Sequence, residues 1–261
     1  EYDSDDNIVN QCNFDSSIRA VTPRKSGFII GTKDGEIYYL KRFNKSPKRI
    51  VKGHFDGELW GLDTDSNNPD YFATSGEDNR YMLWHAPSHK FLAEGIISNK
   101  KGRRSKNPKA STTSTQPAWK CARACAFSPD SKHLAIGTNI GNLVIVDLKT
   151  MKTVVEHDLN DYSKRKVTNQ KGNWIQTMKY SADGKILAVG THGSVIVLCD
   201  VNKNYKPIKK VLDAHNAGIT HLDFSKDGKS IRSNCLAYEL LFHKIDNNKL
   251  SHSKHDASSS K

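Results

Sequence analysis

Long apolar runs are missing from this chain of 261 residues: no stretch approaches the roughly 20 apolar residues that a membrane helix needs. Cysteine is scarce and odd in number. Five residues with no framework spacing exclude a disulfide-stapled secreted fold, and reduced, buried thiols of a cytosolic protein are the expectation. A sustained helical period is missing too, which argues against an α/β fold. So are Gly-rich phosphate loops, paired catalytic carboxylates and amphipathic membrane helices. The opening EYDSDDNIVN is acidic and polar, unlike a signal peptide, and it lacks a starting Met, so the chain reads as a segment of something longer. Acidic residues are the scarcer charge. Lys and Arg total 40 against 28 Asp and Glu, a net charge of +12 that favours a polyanionic partner and says nothing about fold.

What the chain does contain is one four-strand pattern written five times. The copies are IRAVTPRKSGFIIGTKDGEIYYL from Ile18 and GHFDGELWGLDTDSNNPDYFATSGEDNRYMLW from Gly53. The others are CARACAFSPDSKHLAIGTNIGNLVIVDL from Cys121, WIQTMKYSADGKILAVGTHGSVIVLCDV from Trp174 and AHNAGITHLDFSKDGKSIRSNCLAYELLFHKI from Ala214. Aligned on the small residue ending the second strand, Gly31, Ser75, Gly137, Gly190 and Ser233 fall in register, at steps of about 44, 62, 53 and 43 residues. A WD-type blade needs roughly 40–45 residues, so the two long steps carry insertions. These are 95–118 and 156–173, both rich in Lys, Ser, Thr and Asn and read as surface loops. SPDSK, SADGK and SKDGK supply Asp-Ser or Asp-Gly where a hairpin must reverse. Runs such as Leu143–Val146 and Val195–Leu198 are continuously apolar, as expected of small sheets buried on both faces. The fold expected is an all-β WD-repeat β-propeller: about five blades over 18–246, an arc of a larger ring. Residues 1–17 form an acidic lead-in or closing strand, and 247–261 a disordered polar tail.

The second copy holds the strongest local signature. His54, Ser75, Asp78 and Trp84 stand where WD repeats place a hydrogen-bonded chain, in which the buried Asp accepts from the His while the Trp N–H and Ser hydroxyl complete the set. An unpaired buried polar group costs about 1–3 kcal/mol, so the set is kept or lost together. A catalytic Ser75–His54–Asp78 triad is the alternative, and nothing suggests an oxyanion hole for it. In the fifth copy His215 has Ala237 at the expected Asp position and His243 at the Trp position. Cys121 and Cys125 have metal-like spacing but no second Cys/His pair, and they share one strand face, so buried thiols are the better reading. No metal, cofactor or catalytic residue is expected.

The pattern GH-x-x-GE-x-WGL in VKGHFDGELWGLDT, with ITHLDF followed by Ser233-Asn234 and Tyr238-Glu239-Leu240-Leu241, resembles the echinoderm microtubule-associated protein-like (EMAP-like) family. The likeness covers nearly all of 18–246. It implies tandem seven-bladed and atypical eight-bladed propellers that associate with microtubules, these five blades being similar to part of the second, atypical ring. It also implies a noncatalytic scaffold of the cytoplasm and cytoskeleton, on a spindle or axoneme, whose oligomerisation uses regions outside this chain. A generic protein–protein platform with a partner other than tubulin is the alternative. Lys100, Lys101, Arg103, Arg104, Lys106 and Lys109 fall within ten residues, and no Asp or Glu occurs between Glu94 and Asp130. Acidic tubulin tails at the microtubule surface are the partner this basic arm suits. No aromatics interleave with these charges to stack bases, so nucleic acid is not expected, nor is a membrane.

Overall fold

The Ser-x-Asp turns explain how the first two strands of a repeat reverse. Ser128 Oγ donates to Asp130 Oδ1 at 2.6 Å and accepts from the His133 N–H at 2.9 Å, while Asp130 Oδ1 accepts the Lys132 N–H at 3.1 Å. The same three bonds recur around Ser181 and Asp183 and around Ser225 and Asp227. The residue after each Asp takes the left-handed conformation, at Ser131 (φ 56°), Gly184 (φ 69°) and Gly228 (φ 69°). Hence Gly or a small polar residue stands there.

A computed structural model describes residues 11–14, 16–42, 44, 46–55, 57–97, 120–162, 173–208, 215–246 and 249–253. It contains five antiparallel four-stranded meanders, each in chain order. The first comprises β1 (Ile18–Arg24), β2 (Gly27–Thr32), β3 (Ile37–Lys41) and β4 (Lys48–Val51). The second has β5 (Leu59–Thr64), β6 (Tyr71–Gly76), β7 (Arg80–His85) and β8 (Lys90–Ile96). The third has β9 (Ala122–Phe127), β10 (His133–Thr138), β11 (Asn142–Asp147) and β12 (Lys152–Asp158). The fourth has β13 (Ile175–Tyr180), β14 (Ile186–Thr191), β15 (Ile196–Asp200) and β16 (Lys206–Pro207). The fifth has β17 (Ile219–Phe224), β18 (Ser230–Cys235), β19 (Leu240–Asp246) and β20 (Lys249–Ser253). Among the described residues there is no α-helix, and none long and apolar enough to cross a membrane.

Two compact units emerge, Glu1–Gly57 and Glu58–Lys261. The smaller is the first sheet, where Glu36 is buried and bonded by Lys52, by Arg49 at 3.3 Å and by the Tyr38 hydroxyl at 2.5 Å. In the larger unit β9 packs on β5 and β6, β13 on β9 and β10, and β17 on β13 and β14. Stacking through successive first strands is the radial arrangement of propeller blades. Three apolar layers fill the spaces between sheets. Ala73, Cys125, Leu134 and Ile136 lie in one, Ala135, Ile145, Leu187 and Val189 in the next, and Ala188, Leu198, Ile219 and Ile231 in the third. Alternate residues of β10 and of β14 enter different layers, which is why these strands are apolar throughout.

Three expected boundaries shift. The insertion placed at 95–118 begins later, because Gly95 and Ile96 belong to β8 and Ile97 is buried. The one placed at 156–173 gives up Glu156–Asp158 to β12, and Leu159 enters the core. The tail expected to be disordered from 247 supplies β20, paired with β19 from Asp246↔Lys249 to Phe242↔Ser253. An outer strand is held mainly by its backbone ladder, so it needs little apolar sequence and is hard to see in one. Residues 1–10 of the expected closing strand lie outside the described residues, and 11–14 are not in a strand.

Candidate functional site

In a four-strand meander the first strand begins, the second ends and the fourth ends on the same edge, here called the leading edge. Hydrogen bonds tie these points together. Ile97 N–H donates to Asn79 O at 3.0 Å, and Asn79 Nδ2 to Ile97 O at 2.8 Å. One sheet on, the Cys121 N–H donates to Asn139 Oδ1 at 2.8 Å. The basic arm of Lys100, Lys101, Arg103, Arg104, Lys106 and Lys109 lies outside the described residues. Its anchors, Ile97 and Lys120, stand on this edge, as do the anchors of the two other long connectors, Tyr162 and Asn173, and Ile208 and His215.

Every first strand carries a β-bulge at the same place, skipping Arg19, Trp60, Arg123, Gln176 and Thr220 in the pairing registers. A bulge re-aims the extra side chain out of the regular alternation. In the larger unit this builds a stack along the leading edge. The Arg123 guanidinium lies 4.1 Å from the Trp60 ring centre and 4.9 Å from that of Trp174, and Trp174 stacks on His192 at 3.9 Å. Glu77 Oε1 accepts from both Trp60 Nε1 at 3.0 Å and Arg123 Nη2 at 3.2 Å. Sequence reading missed this cluster. Trp60 and Arg123 are the extra residues of their bulges, whereas Trp174 precedes β13 and His192 follows β14.

The bulges also correct the repeat register. Pairing puts Gly31, Ser75, Gly137 and Gly190 opposite Ala20, Gly61, Ala124 and Thr177, and the fifth member opposite His221 is Asn234, not Ser233. Ser233 therefore corresponds to Thr74. The Trp84 indole accordingly donates to Thr74 Oγ1, at 2.8 Å, and not to Ser75. Trp84 pairs with Phe72, two residues from Thr74 and on its face, whereas Ser75 points to the other face, beneath Gly61 and beside β9. Asp78 Oδ1 accepts the Arg80 N–H at 3.1 Å. His54 lies in the smaller unit.

The fifth sheet builds a polar chain of its own. His215 Nε2 meets Ser233 Oγ at 2.7 Å, and Ser233 Oγ meets His243 Nε2 at 3.1 Å, all three side chains buried. The carboxylate absent from position 237 is Glu239, whose Oε2 lies 3.4 Å from His215 Nδ1. It is held by the Asn216 backbone N–H at 2.9 Å, by Cys235 Sγ at 3.2 Å and by Asn216 Nδ2. These bonds, the backbone one foremost, lower its pKa to about 2. The sequence hid Glu239 because it stands two residues past position 237, level with Glu36, Arg80, Asn142 and Val195 of the sister sheets. Cys125 and Cys199 are buried thiols whose pKa desolvation pushes up to about 12, and no disulfide occurs among the described residues.

Residues 59–261 match the family model described as the echinoderm microtubule-associated protein second beta-propeller. The chain belongs to this EMAP family. It is 33% identical over 231 residues to the ciliary WD repeat-containing protein ctxp80 of Euplotoides octocarinatus, covering 88% of this chain and 30% of that protein. To human echinoderm microtubule-associated protein-like 4 it is 32% identical over 235 residues, covering 88% and 20%. To the rat EMAP-like 1 protein it is 30% identical over 196 residues, covering 74% and 20%. The chain thus spans between a fifth and a third of the length of these relatives. The all-β WD-repeat propeller expected from the sequence, and its resemblance to the second EMAP propeller, are both shown.

Proposed function

We propose that this EMAP-family propeller segment is a noncatalytic docking scaffold that associates with microtubules, and that its leading edge faces the acidic tubulin surface. The family match over 59–261 carries the reading. Charge placement supports it. Most of the +12 net charge sits in the three long connectors anchored on that edge: the arm of Lys100–Lys109, then Lys164, Arg165, Lys166 and Lys171, then Lys209 and Lys210. Contacts of this kind weaken steeply with salt. By the same analogy to ciliary and microtubule-associated relatives, the protein works on the cytoskeleton, in cytoplasm or axoneme.

Co-sedimentation of the full-length protein with stabilised microtubules across a salt series tests this. Pelleting that declines with salt is expected, and replacing the six Lys and Arg of 100–109 with Ser or Gln should lower both affinity and salt slope. No pelleting at low salt would overturn microtubule association, whereas unchanged affinity in the substituted protein would remove only the arm. A second reading, a platform for a partner other than tubulin, draws on the Trp60–Arg123–Trp174 stack, since Trp and Arg dominate binding hot spots. Trp60→Ala abolishing capture of one stoichiometric non-tubulin partner, with pelleting intact, would favour it.

A further inference from the structure

Two departures from the repeat and one carboxylate converge at one point of the fifth sheet. Cys235 pairs with Ile219 where the sister sheets carry Thr32, Gly76, Thr138 and Thr191. Glu239 supplies a carboxylate from the position that Glu36 holds in the first sheet and Arg80, Asn142 and Val195 hold in the others. His243 occupies the place that Trp84 holds in the second sheet. The outcome is an imidazole nitrogen, a thiol and a carboxylate whose ligand atoms all lie within 4.8 Å of one another. We propose that His215 Nδ1, Cys235 Sγ and Glu239 Oε2 form a zinc-binding site.

The spacing fits. Bonds of about 2.0–2.1 Å to nitrogen, 2.3 Å to sulfur and 2.0–2.2 Å to oxygen, set tetrahedrally, separate ligand atoms by roughly 3.3–3.6 Å. His215 Nδ1 and Glu239 Oε2 are 3.4 Å apart, and Cys235 Sγ and Glu239 Oε2 are 3.2 Å apart. A metal that accepts thiolate and imidazole together is soft or borderline, which selects zinc over magnesium or calcium. One thiolate and one carboxylate neutralise the 2+ charge. The fourth position is left to water, beside a Glu239 side chain that is 26% exposed.

His243 is the residue that permits binding. A Trp there could only donate to Ser233 Oγ, and the Ser hydroxyl would then donate to His215 Nε2, placing the His215 proton on Nδ1 against Glu239. Histidine can also accept. With His243 Nε2 accepting the Ser233 hydroxyl, Ser233 Oγ accepts a His215 Nε2–H, and the Nδ1 lone pair faces the metal. A second hydrogen bond that fixes the tautomer is the usual support of a metal-bound histidine. Binding to this tautomer releases one proton to solvent, from the Cys235 thiol, and changes no oxidation state.

Zinc titration of the metal-free full-length protein against a chromophoric chelator tests the proposal, with cobalt(II) as a spectroscopic probe. One equivalent should bind, and the cobalt form should show a thiolate charge-transfer band. Cys235→Thr, the residue of three sister sheets, should fold normally and lose both. His243→Trp should keep Cys235 yet weaken zinc binding about 10–100-fold by forcing the other proton arrangement. The proposal is overturned if no equivalent binds, if the thiolate band is missing, or if Cys235→Thr binds zinc as the parent does. Undiminished affinity in a folded His243→Trp protein would overturn the proton argument.

Discussion

Thr74→Val separates the register seen in the structure from the one suggested by the repeat. The substitution keeps the shape of a side chain that is 6% exposed and removes the acceptor 2.8 Å from Trp84 Nε1. An indole N–H left unsatisfied costs about 1–3 kcal/mol. Trp84 is only part-buried, so the lower half of that range applies, about 1–2 kcal/mol. For a unit of this size that is a fall of roughly 2–8 °C in Tm. Ser75→Ala, by contrast, removes a hydroxyl that has no hydrogen-bond partner of ordinary geometry among the described residues, and should change Tm little. Thermal unfolding by circular dichroism reads both. A double-mutant cycle of Thr74→Val with Trp84→Phe should return a coupling of about 1 kcal/mol, since the two side chains bond directly. Ser75→Ala proving the more damaging change, or a cycle with no coupling, would refute the assignment.

Gly61→Ala should destabilise by about 2–3 kcal/mol, because the new Cβ would lie 2.1 Å from Ser75 Oγ and 2.9 Å from the Cys125 backbone nitrogen; urea midpoints measure it. Cys125 and Cys199, with pKa values of about 12 imposed by burial, should not react with a disulfide reagent at pH 8 until the protein unfolds. The turn aspartates Asp183 and Asp227 have lowered pKa values, through their bonds from Ser181 and Ser225 first and the Lys185 and Lys229 N–H groups next. Their contribution is therefore present above the unfolded carboxylate pKa and lost as pH falls through the folded values. Ser181→Ala and Ser225→Ala should narrow the stability gap between pH 7 and pH 3, and an unchanged gap would remove these turns from the acid response.

Five sheets were legible because each copy writes its own turns. Ser128-x-Asp130, Ser181-x-Asp183 and Ser225-x-Asp227 determine local geometry with local bonds, and nothing distant can alter the reading. Register in the fifth copy was not legible, since Ser233 and Asn234 are both plausible strand-end residues. A single-residue slip exchanges the faces of a strand, so that slip alone moved the network from Thr74 to Ser75. Glu239 escaped for a different reason: it stands two residues past Ala237, beside the start of the third strand, where the WD pattern places no carboxylate. The Trp60, Arg123, Trp174 and His192 stack had no local signal at all. Two of its members, Trp60 and Arg123, are bulge residues, and a bulge leaves no mark on composition.

The register as seen also explains why the WD-type polar set is complete in so few copies. The pair Thr74–Trp84 has direct counterparts in Ile30–Leu40, Ile136–Val146, Val189–Cys199 and Ser233–His243. Three of these five are apolar and buried, with no exposure above 8%. Aliphatic packing and a satisfied hydrogen bond therefore solve the same problem at the same position of the sheet. A half-built polar set is worse than either, because the unpaired member keeps its full desolvation cost. Each copy must accordingly be wholly apolar there or wholly bonded. The fifth sheet takes the bonded solution with a residue that both donates and accepts, and that choice lets its proton arrangement respond to what Glu239 and Cys235 hold.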